Sequence, residues 1–312
     1  MEFKHILVAT DLSDGSRLAE AHAAAFARGC GARLTLLHVT ESVEGDYVPS
    51  AAVARHLREA GDAEALKLAE AQLRMVELGI DCQVAHRHGS PSREVLAWAE
   101  ANGCDLIVLT RHGRRVTGLF MGSTSRRVMR QAQVPVLVAH DPVSYQPHLP
   151  DGAAHYDRIT SSTDFSDDSE TGVRLTAGLA KRLGAQLDVL HVWRDLSAAA
   201  TWLPESNNLP TADELFADQQ RFYEEQLDAW LVAGRLHPDR ATAIAAESAP
   251  EGLVSGALAE HADLLVLPSH GKGAFESLVL GSTTEKVLRL SPLPVLVLPR
   301  VWLRAQGAAS LS

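Results

Sequence analysis

Residues 104–113 read CDLIVLTRHG, and residues 262–271 read ADLLVLPSHG. Each stretch is a short apolar run that ends in a polar loop containing a histidine and a glycine. An apolar run without polar alternation is typical of a β-strand covered on both faces, as in a parallel sheet between two layers of helices. The two stretches therefore predict the same local structure twice: a buried strand whose carboxyl end carries a glycine-containing loop.

The similarity between these two stretches extends along nearly the whole chain. Residue 6 corresponds to residue 159, an offset of 153, and the offset rises to 159 near the end of each copy. A repeat of this length indicates a duplicated domain, because solenoid repeats are only about 20–50 residues long. The matching segments are 6–16 with 159–169, 37–39 with 190–192, 104–113 with 262–271, 122–130 with 281–289, and 134–139 with 293–298.

Each copy alternates predicted strands and helices. Apolar residues at helical spacing predict the helices, and Pro91 suits the first turn of one of them. Alternation of this kind implies right-handed crossovers and a parallel sheet with helices on both faces. We therefore expect an α/β fold with two tandem, doubly wound, five-stranded domains. In the first copy the predicted strands are 6–9, 33–39, 82–86, 105–109 and 134–139, and the predicted helices are 16–30, 63–78, 91–101 and 123–131.

The second copy repeats this order from Arg158 to Pro299. The stretch between the copies is rich in proline and polar residues, which is typical of a linker. The expected organisation is a first domain at 1–141, a linker at 142–157, a second domain at 158–300 and a C-terminal tail at 301–312.

Composition excludes several functional classes. The 312 residues include 29 Lys and Arg against 39 Asp and Glu, a net charge of −10. That charge argues against nucleic acid and against an anionic membrane surface as partners. The start of the chain does not resemble a secretory signal, and no apolar run approaches the ~20 residues of a membrane span. We therefore predict a cytoplasmic protein.

The cysteines and histidines predict no metal site. Cys30, Cys82 and Cys104 form neither a CxxC pair nor a zinc framework, so we expect buried, reduced thiols. His38 and His191 end predicted strands and are expected to be structural residues, and the other histidines show no metal-ligand spacing.

A ligand crevice is expected where the strand order of a doubly wound sheet reverses, at the carboxyl ends of the strands. The loop after the fourth strand of the second copy runs from Pro268 to Gly271, and Gly281, Ser282 and Thr283 follow and open a helix. Glycines let backbone N–H groups approach a ligand, and a helix N-terminus presents unpaired donors. This combination suits polyphosphate. An ordinary glycine turn with a helix cap explains the same spacing.

The order of these motifs resembles the universal stress protein family: Thr-Asp-x-Ser after a strand, Leu-His-Val, Asp-Leu-(Ile/Leu)-Val-Leu, His-Gly, Gly-Ser-Thr and Pro-Val-Leu-Val. The resemblance covers both copies and is closest to the tandem-domain members. It implies a five-stranded parallel fold, dimerisation through the last strand and a role in stress endurance rather than defined catalysis. The ATP-binding branch of the family carries Gly-x2-Gly-x9-Gly-(Ser/Thr).

The resemblance assigns adenine-nucleotide contacts in both copies, with ATP as ligand, with or without Mg²⁺. In the second copy Gly271, Gly281 and Ser282 match the motif, whereas Pro268 replaces its first glycine and lacks an N–H. Acidic and apolar contacts and a positioning histidine complete each site. The candidates in the second copy are Ser162, Asp164, Val192, Leu267, Pro268, His270, Gly271, Gly281, Ser282 and Thr283.

The first copy departs further from the motif. Thr110 stands at the first glycine, and only eight residues separate Gly113 from Gly122. If that position needs a positive φ, Thr110 costs about 1–2 kcal/mol. Arg111, Arg114 and Arg115 surround this loop and are either solvated or part of a distinct anion site. The candidates in the first copy are Ala9, Asp11, Val39, Leu109, Thr110, His112, Gly113, Gly122, Ser123 and Thr124.

Two further expectations concern apolar surfaces. The last strands would be exposed apolar edges, so we expect them to pair within the chain, and a homodimer is plausible. The aromatic residues in the insertion and helix after the second strand of the second copy are expected to pack on the sheet, with a partner-binding surface as the alternative. They are Trp202, Phe216, Phe222, Tyr223 and Trp230.

Three functions are compatible with these observations. The first is a nucleotide-binding stress protein with no catalytic residue and at most slow ATP hydrolysis. The second is a related adenine-nucleotide hydrolase, but the loops at 9–16 and 161–169 lack the paired glycines of an SGGxDS motif. The third is an interaction scaffold with vestigial sites, which Pro268 and Thr110 favour. Walker, Rossmann and nucleophile-elbow motifs do not occur.

Overall fold

The apolar runs form β-strands in the computed structural model, which describes residues 1–41, 50–111, 121–140, 152–195, 211–271 and 280–310. The chain divides into two compact units, Glu2–His155 and Tyr156–Ser312, the second together with Met1. The elements of the first unit are β1 (His5–Thr10), α1 (Ser16–Cys30), β2 (Arg33–Thr40), α2 (Ala51–Glu77), β3 (Cys82–His88), α3 (Pro91–Ala101), β4 (Leu106–Thr110), α4 (Ser123–Gln131) and β5 (Val136–Ala139). Those of the second unit are β6 (Arg158–Thr163), α5 (Asp167–Leu183), β7 (Gln186–Arg194), α6 (Ala212–Gly234), β8 (Arg240–Ala246), α7 (Ala249–Ala259), β9 (Leu264–Pro268), α8 (Ser282–Leu290), β10 (Val295–Leu298) and α9 (Arg300–Ser310).

The described strands of each unit form a parallel sheet. Pairing gives the order β3-β2-β1-β4-β5 in the first unit and β8-β7-β6-β9-β10 in the second. The order reverses between β1 and β4 and between β6 and β9, and a ligand crevice lies outside the carboxyl ends of strands at such a point. The predicted fold class is confirmed.

An aspartate at the amino end of each sheet joins the two central strands. The Asp105 carboxylate, just before β4, accepts hydrogen bonds from the N–H groups of Lys4 (2.8 Å) and His5 (3.1 Å) at the start of β1. Asp263 accepts the corresponding bonds from Asp157 (2.7 Å) and Arg158 (2.9 Å). Because a carboxylate that accepts two backbone N–H groups fixes both donors, these contacts set the register of the central strands.

Two helices differ from the sequence prediction. α2 begins at Ala51 instead of residue 63, with the Ser50 side chain accepting a hydrogen bond from the N–H of Val53 (3.4 Å). Its first turns are almost wholly exposed, so no apolar periodicity marked them, although Ala, Arg, Leu and Glu favour helix. Most of the predicted C-terminal tail forms α9, which packs against α5 and buries Leu303.

The expected linker is described only in part, since residues 142–151 lie outside the described ranges. At its end Ala153, Ala154 and Tyr156 are buried, and the Ala154 N–H donates to the Ala21 carbonyl (2.9 Å). These residues are therefore packed, although their polar neighbours predicted an open connection. No helix in the described part of the chain is long and apolar enough to cross a membrane.

Glycine lets α7 lie close to the sheet of the second unit. A Cβ atom added at Gly252 would lie 2.5 Å from Val192 Cγ1 and 2.7 Å from Ala246 Cβ. We predict that Gly252→Ala lowers the free energy of unfolding by about 1–3 kcal/mol, because overpacking outweighs the higher helix propensity of alanine.

Gly307→Ala in α9 is the matched control, because its added Cβ would be 3.6 Å from Thr171 Oγ1, an ordinary contact distance. At this position only the higher helix propensity of alanine acts, so the substitution should raise the free energy of unfolding by up to about 1 kcal/mol. Urea unfolding followed by circular dichroism measures both variants. Equal stabilisation by the two substitutions would show that α7 is not closely packed.

Candidate functional site

The turn after the first strand of each unit is organised by an aspartate. Asp164 Oδ1 accepts hydrogen bonds from the N–H (3.2 Å) and the hydroxyl (2.5 Å) of Ser166. Asp11 Oδ1 accepts from the N–H of Ser13 (3.1 Å) and from the hydroxyls of Ser13 and Ser16 (2.5 Å each). These bonds fix one carboxylate oxygen and hence the orientation of the other at the carboxyl end of the central strand.

The residue after each aspartate has a left-handed backbone. Leu12 has φ +60° and Phe165 has φ +61°, a conformation that costs a non-glycine residue about 1–2 kcal/mol. In both units its N–H donates to the threonine hydroxyl at the end of the strand, Thr10 (3.1 Å) or Thr163 (3.0 Å). Strain of this kind clusters at functional sites, and here both copies carry it at the predicted crevice.

Gly271 lies against the aspartate of the second unit. A Cβ atom added to Gly271 would be 2.9 Å from Asp164 Oδ2, closer than real Cβ contacts come. Any larger residue would have to displace this carboxylate oxygen, so glycine suits the close approach of backbone to carboxylate. The loop after β9 and the turn after β6, which the sequence placed separately in the crevice, are in contact.

A backbone hydrogen bond closes the glycine loop in each unit. The Gly281 N–H donates to the Ser269 carbonyl (2.8 Å), and the Gly122 N–H donates to the Arg111 carbonyl (2.9 Å). A Cβ atom at Gly281 would be 2.9 Å from that same Ser269 oxygen. In both units this bond fixes the start of the following helix next to the end of β9 or β4. It forms in the first unit even though the loop there is one residue shorter than in the second.

The helices that follow these loops start without a side-chain cap. Gly281 is the N-cap of α8 and Gly122 the N-cap of α4, so the serines that follow are the first helical residues rather than caps. In contrast, Ser166 caps α5 by accepting the Ser169 N–H (3.2 Å). An N-terminus that no side chain caps presents backbone donors and the positive end of the helix dipole to an anion.

The threonine or serine one turn into each helix ties it to the strand. Thr284 Oγ1 donates to the carbonyl of Pro268 (3.1 Å), and Ser125 Oγ donates to the carbonyl of Thr110 (2.7 Å). Pro268 and Thr110 are the last residues of their strands, and neither is among the residues with positive φ. The conformational cost considered for Thr110 therefore does not arise, because the position is extended.

His270 is buried beside Ser269. The Ser269 hydroxyl lies 2.8 Å from His270 Nδ1 and accepts the Arg300 N–H (3.0 Å). The Ser269 hydroxyl thus connects His270 to the start of α9.

The other site candidates occupy three kinds of position. Leu109, Leu267 and Ser162 are buried in the strands, so only their backbone can reach a ligand. The remaining candidates lie at least partly exposed at strand or helix ends: Ala9, Val39, Val192, Ser123, Thr124, Ser282 and Thr283. His112, Gly113, Arg114 and Arg115 lie outside the described residues.

Arg111 is buried next to the loop of the first unit. Only 8% of it is exposed, burial lowers the pKa of its guanidinium, and Nε has no hydrogen-bond partner among the described residues. A buried cation is costly unless it is paired, and an anionic ligand could supply the pairing.

The aromatic residues of the second unit form a cluster between α6 and β7. Trp193 stacks on Tyr223 with ring centroids 5.3 Å apart and lies 5.4 Å from Phe216. Trp230 contacts Phe165 edge-on at 5.9 Å, whereas Phe222 is 56% exposed. Phe216 and Tyr223 therefore pack on the sheet as predicted, Trp230 packs on the turn after β6, and Trp202 lies outside the described residues.

The structure also assembles a group that the sequence did not reveal. A ligand atom from each of His38, Glu64 and His86 lies within 4.8 Å of the others, at the carboxyl ends of β2 and β3. Burial lowers the pKa of His86, and His38 and His88 lower it further, whereas Glu64 raises it. The sequence prediction of no metal-ligand arrangement missed this cluster because the separations of 26 and 22 residues match no local motif.

A cleft of about 320 Å³ lies between α1 and α2 of the first unit. Cations and anions both line it, and the buried Glu20 pairs there with Arg74 (2.7 Å). Leu12 and Ser13 of the turn after β1 also line this cleft.

Two tandem doubly wound parallel sheets define a class of α/β protein with duplicated domains. A sequence model of the universal stress protein family matches residues 2–140 and 155–299. The chain belongs to the universal stress protein family and carries two of its domains.

Individual relatives agree with this assignment. The chain is 28% identical over 300 residues to a universal stress protein of Mycolicibacterium smegmatis, covering 94% of this chain and 96% of that protein. One from Mycobacterium tuberculosis is 28% identical over 189 residues, 59% of this chain and 57% of that protein. The crystal structure of a universal stress protein from Archaeoglobus fulgidus shares the fold, with a TM-score of 0.66, 20% identity and coverage of 95% and 98% of the two chains.

Ser166 tests the organisation of the turn in the second unit. We predict that Ser166→Ala lowers the free energy of unfolding by about 1 kcal/mol, because it removes the cap of α5. Ser248→Ala is the control, since Ser248 is the N-cap of α7 but its side chain makes no cap hydrogen bond. That variant should stay within about 0.5 kcal/mol of the parent in urea unfolding. Equal losses would contradict a capping role for Ser166.

Proposed function

We propose that this protein is a stress-response protein that binds an adenine nucleotide, ATP with or without Mg²⁺, chiefly in its second unit. The observation that carries the proposal is the crevice between β6 and β9. There Gly271 lies against Asp164, and α8 begins at Gly281 without a side-chain cap. Its spacing resembles the ATP-binding motif of the family.

The phosphates are assigned to the start of α8. The backbone N–H groups of Ser282 and Thr283 lie in its first turn, where a helix has no internal acceptors for them. Hydrogen bonds to a charged group contribute roughly 1.5–3 kcal/mol each, so a few of them suffice for micromolar affinity without a lysine.

The ribose is assigned to Asp164. One of its carboxylate oxygens is held by Ser166, and the other faces Gly271 across the crevice. A carboxylate accepts hydrogen bonds from sugar hydroxyls but repels phosphate. Asp164 therefore favours an orientation of the nucleotide with the ribose beside it and the phosphates away from it. Val192 lies on the neighbouring strand and is assigned to the base, although its side chain also packs near Gly252 of α7.

Pro268 weakens the proposed site less than its lack of an N–H suggests. The residue ends β9, where its carbonyl is used by Thr284 and an extended backbone suits proline. The loss is limited to one donor. We assign His270 a positioning role and propose no catalytic residue, so that any ATP hydrolysis is slow.

The first unit is proposed to prefer a different anion. Arg111 brings a buried positive charge to its loop, whereas the corresponding residue of the second unit is Ser269. An arginine fork binds phosphate or carboxylate in two-point geometry. This preference does not require adenine.

We further propose a cytoplasmic location, pairing of the last strands within the chain and possible association into homodimers. In support, β5 and β10 are the last strands of their own sheets and consist wholly of apolar residues. Natural sheets avoid leaving such edges open.

Isothermal titration with ATP, with and without Mg²⁺, tests the nucleotide proposal. We expect Gly281→Ala to weaken ATP binding at least about tenfold, because a Cβ 2.9 Å from the Ser269 carbonyl displaces the start of α8. Gly122→Ala, the same change in the first unit, should leave that binding nearly unchanged.

Two results would overturn the proposal. One is the absence of heat with the parent protein at millimolar nucleotide, which would favour a scaffold with vestigial sites. The other is a loss of binding in Gly122→Ala but not in Gly281→Ala, which would move the site to the first unit. Circular dichroism of each variant separates loss of binding from loss of fold.

A further inference from the structure

His38 is oriented as metal-binding histidines are. Its Nδ1 lies 2.9 Å from the carbonyl oxygen of Thr10, which can only accept a hydrogen bond, so Nδ1 carries the proton. In a neutral ring this leaves a lone pair on Nε2. A backbone carbonyl that binds one ring nitrogen and directs the other is the common outer contact of metal-ligating histidine.

The free nitrogen of His38 is buried and faces a carboxylate. His38 is 6% exposed, and its Nε2 makes no hydrogen bond with any described residue. Glu64 Oε2 of α2 lies 3.5 Å away, which is outside normal hydrogen-bond distance for this pair. A buried polar atom without a partner is costly, and a bound cation would satisfy it.

His86 completes the group beside Thr40. Its Nε2 lies 2.7 Å from Thr40 Oγ1, and that hydroxyl donates to Glu64 Oε2 (2.9 Å). His38 and His86 are direct partners in the β2–β3 register, and their rings stack with centroids 5.4 Å apart. Strand pairing and the overlying α2 therefore bring two imidazoles and one carboxylate to one point.

The second unit shows that the fold alone does not produce this group. His191 corresponds to His38 and makes the same bond from Nδ1 to the Thr163 carbonyl (2.9 Å). Its partner on the next strand is Ala243 in place of a histidine. Its ring lies against Phe165 and Tyr223, with centroids at 4.1 and 5.4 Å. The same backbone thus holds an aromatic cluster in one copy and metal-type ligands in the other.

We propose that the first unit binds a divalent transition-metal ion, Zn²⁺ or one of similar chemistry, through His38 Nε2, a ring nitrogen of His86 and the Glu64 carboxylate. Two imidazoles and a carboxylate are a ligand set that suits zinc. Bonds of 2.0–2.2 Å in tetrahedral geometry place ligand atoms about 3.3 Å apart. The present separations of 3.5 Å for one pair and within 4.8 Å for the whole group require only side-chain rotation.

Three protein ligands leave one position open. Open coordination positions are characteristic of zinc sites that bind water or a further ligand, whereas structural sites have four protein ligands. The group lies at the carboxyl ends of β2 and β3, whereas the crevice of the first unit lies between β1 and β4. This site belongs to a different unit from the proposed nucleotide site, and the two proposals stand or fall separately.

Metal titration of chelator-treated full-length protein tests the proposal, with Zn²⁺ competed against a chromophoric chelator and Co²⁺ as the spectroscopic probe. We expect one tight site and a visible Co²⁺ spectrum typical of four-coordinate geometry. His86→Ala, which installs the residue found at position 243, and Glu64→Gln, which keeps the shape, should each weaken binding at least about tenfold. His88→Ala should leave the affinity unchanged, because His88 touches His86 but lies outside the group.

Several outcomes would overturn the proposal. They are no Zn²⁺ binding by the parent protein at micromolar metal, unchanged binding in both ligand variants, and an equal loss in His88→Ala. Zn²⁺ should also raise the melting temperature of the parent but not of Glu64→Gln, because a ligand stabilises only the state that binds it. If His86→Ala fails to fold, the isosteric Glu64→Gln decides the question.

Discussion

Each unit depends on how its two central strands are held side by side. At the amino end, Asp105 or Asp263 accepts two N–H groups from the start of the neighbouring strand. At the carboxyl end, the N–H of Gly122 or Gly281 donates to the carbonyl of the residue that follows β4 or β9, and this bond fixes the start of the next helix. Between these points the pairing is parallel and buried, so the register cannot slip without moving every side chain. These contacts determine the geometry of the crevice.

That constraint explains which parts of the two copies could diverge. The aspartate turn, its left-handed residue and the loop-closing bond occur in both units, and the turn keeps its aspartate and serine side chains in both. Side chains that project over the next strand are not so constrained. His38 and His191 keep the same bond to a threonine carbonyl, yet one faces Glu64 and the other Tyr223.

The sequence predicts the strands and the duplication because buried parallel strands are continuous apolar runs. It did not predict the early start of α2, whose first turns are exposed and carry no periodicity, nor α9. Both Gly271 and Asp164 follow the carboxyl ends of central strands, so the sequence could predict that they lie near each other. It could not predict that the Asp164 carboxylate comes so close to the Gly271 backbone. The metal-type group was missed since it depends on the register of His38 with His86, which no local pattern encodes. Knowing that register, two histidines at paired positions would have been the signal.

The two units therefore combine a common backbone with different chemistry at the same edge of the sheet. In the second unit, serine and glycine around an uncapped helix start leave room for a ligand to bring negative charge. In the first, a buried arginine lies at one strand end and a buried histidine with an unpartnered nitrogen at another, among the residues the structure describes. The arginine favours an anionic ligand, and the histidine nitrogen favours a cation. The two copies share the backbone of the crevice and differ in the side chains that lie over the neighbouring strand ends.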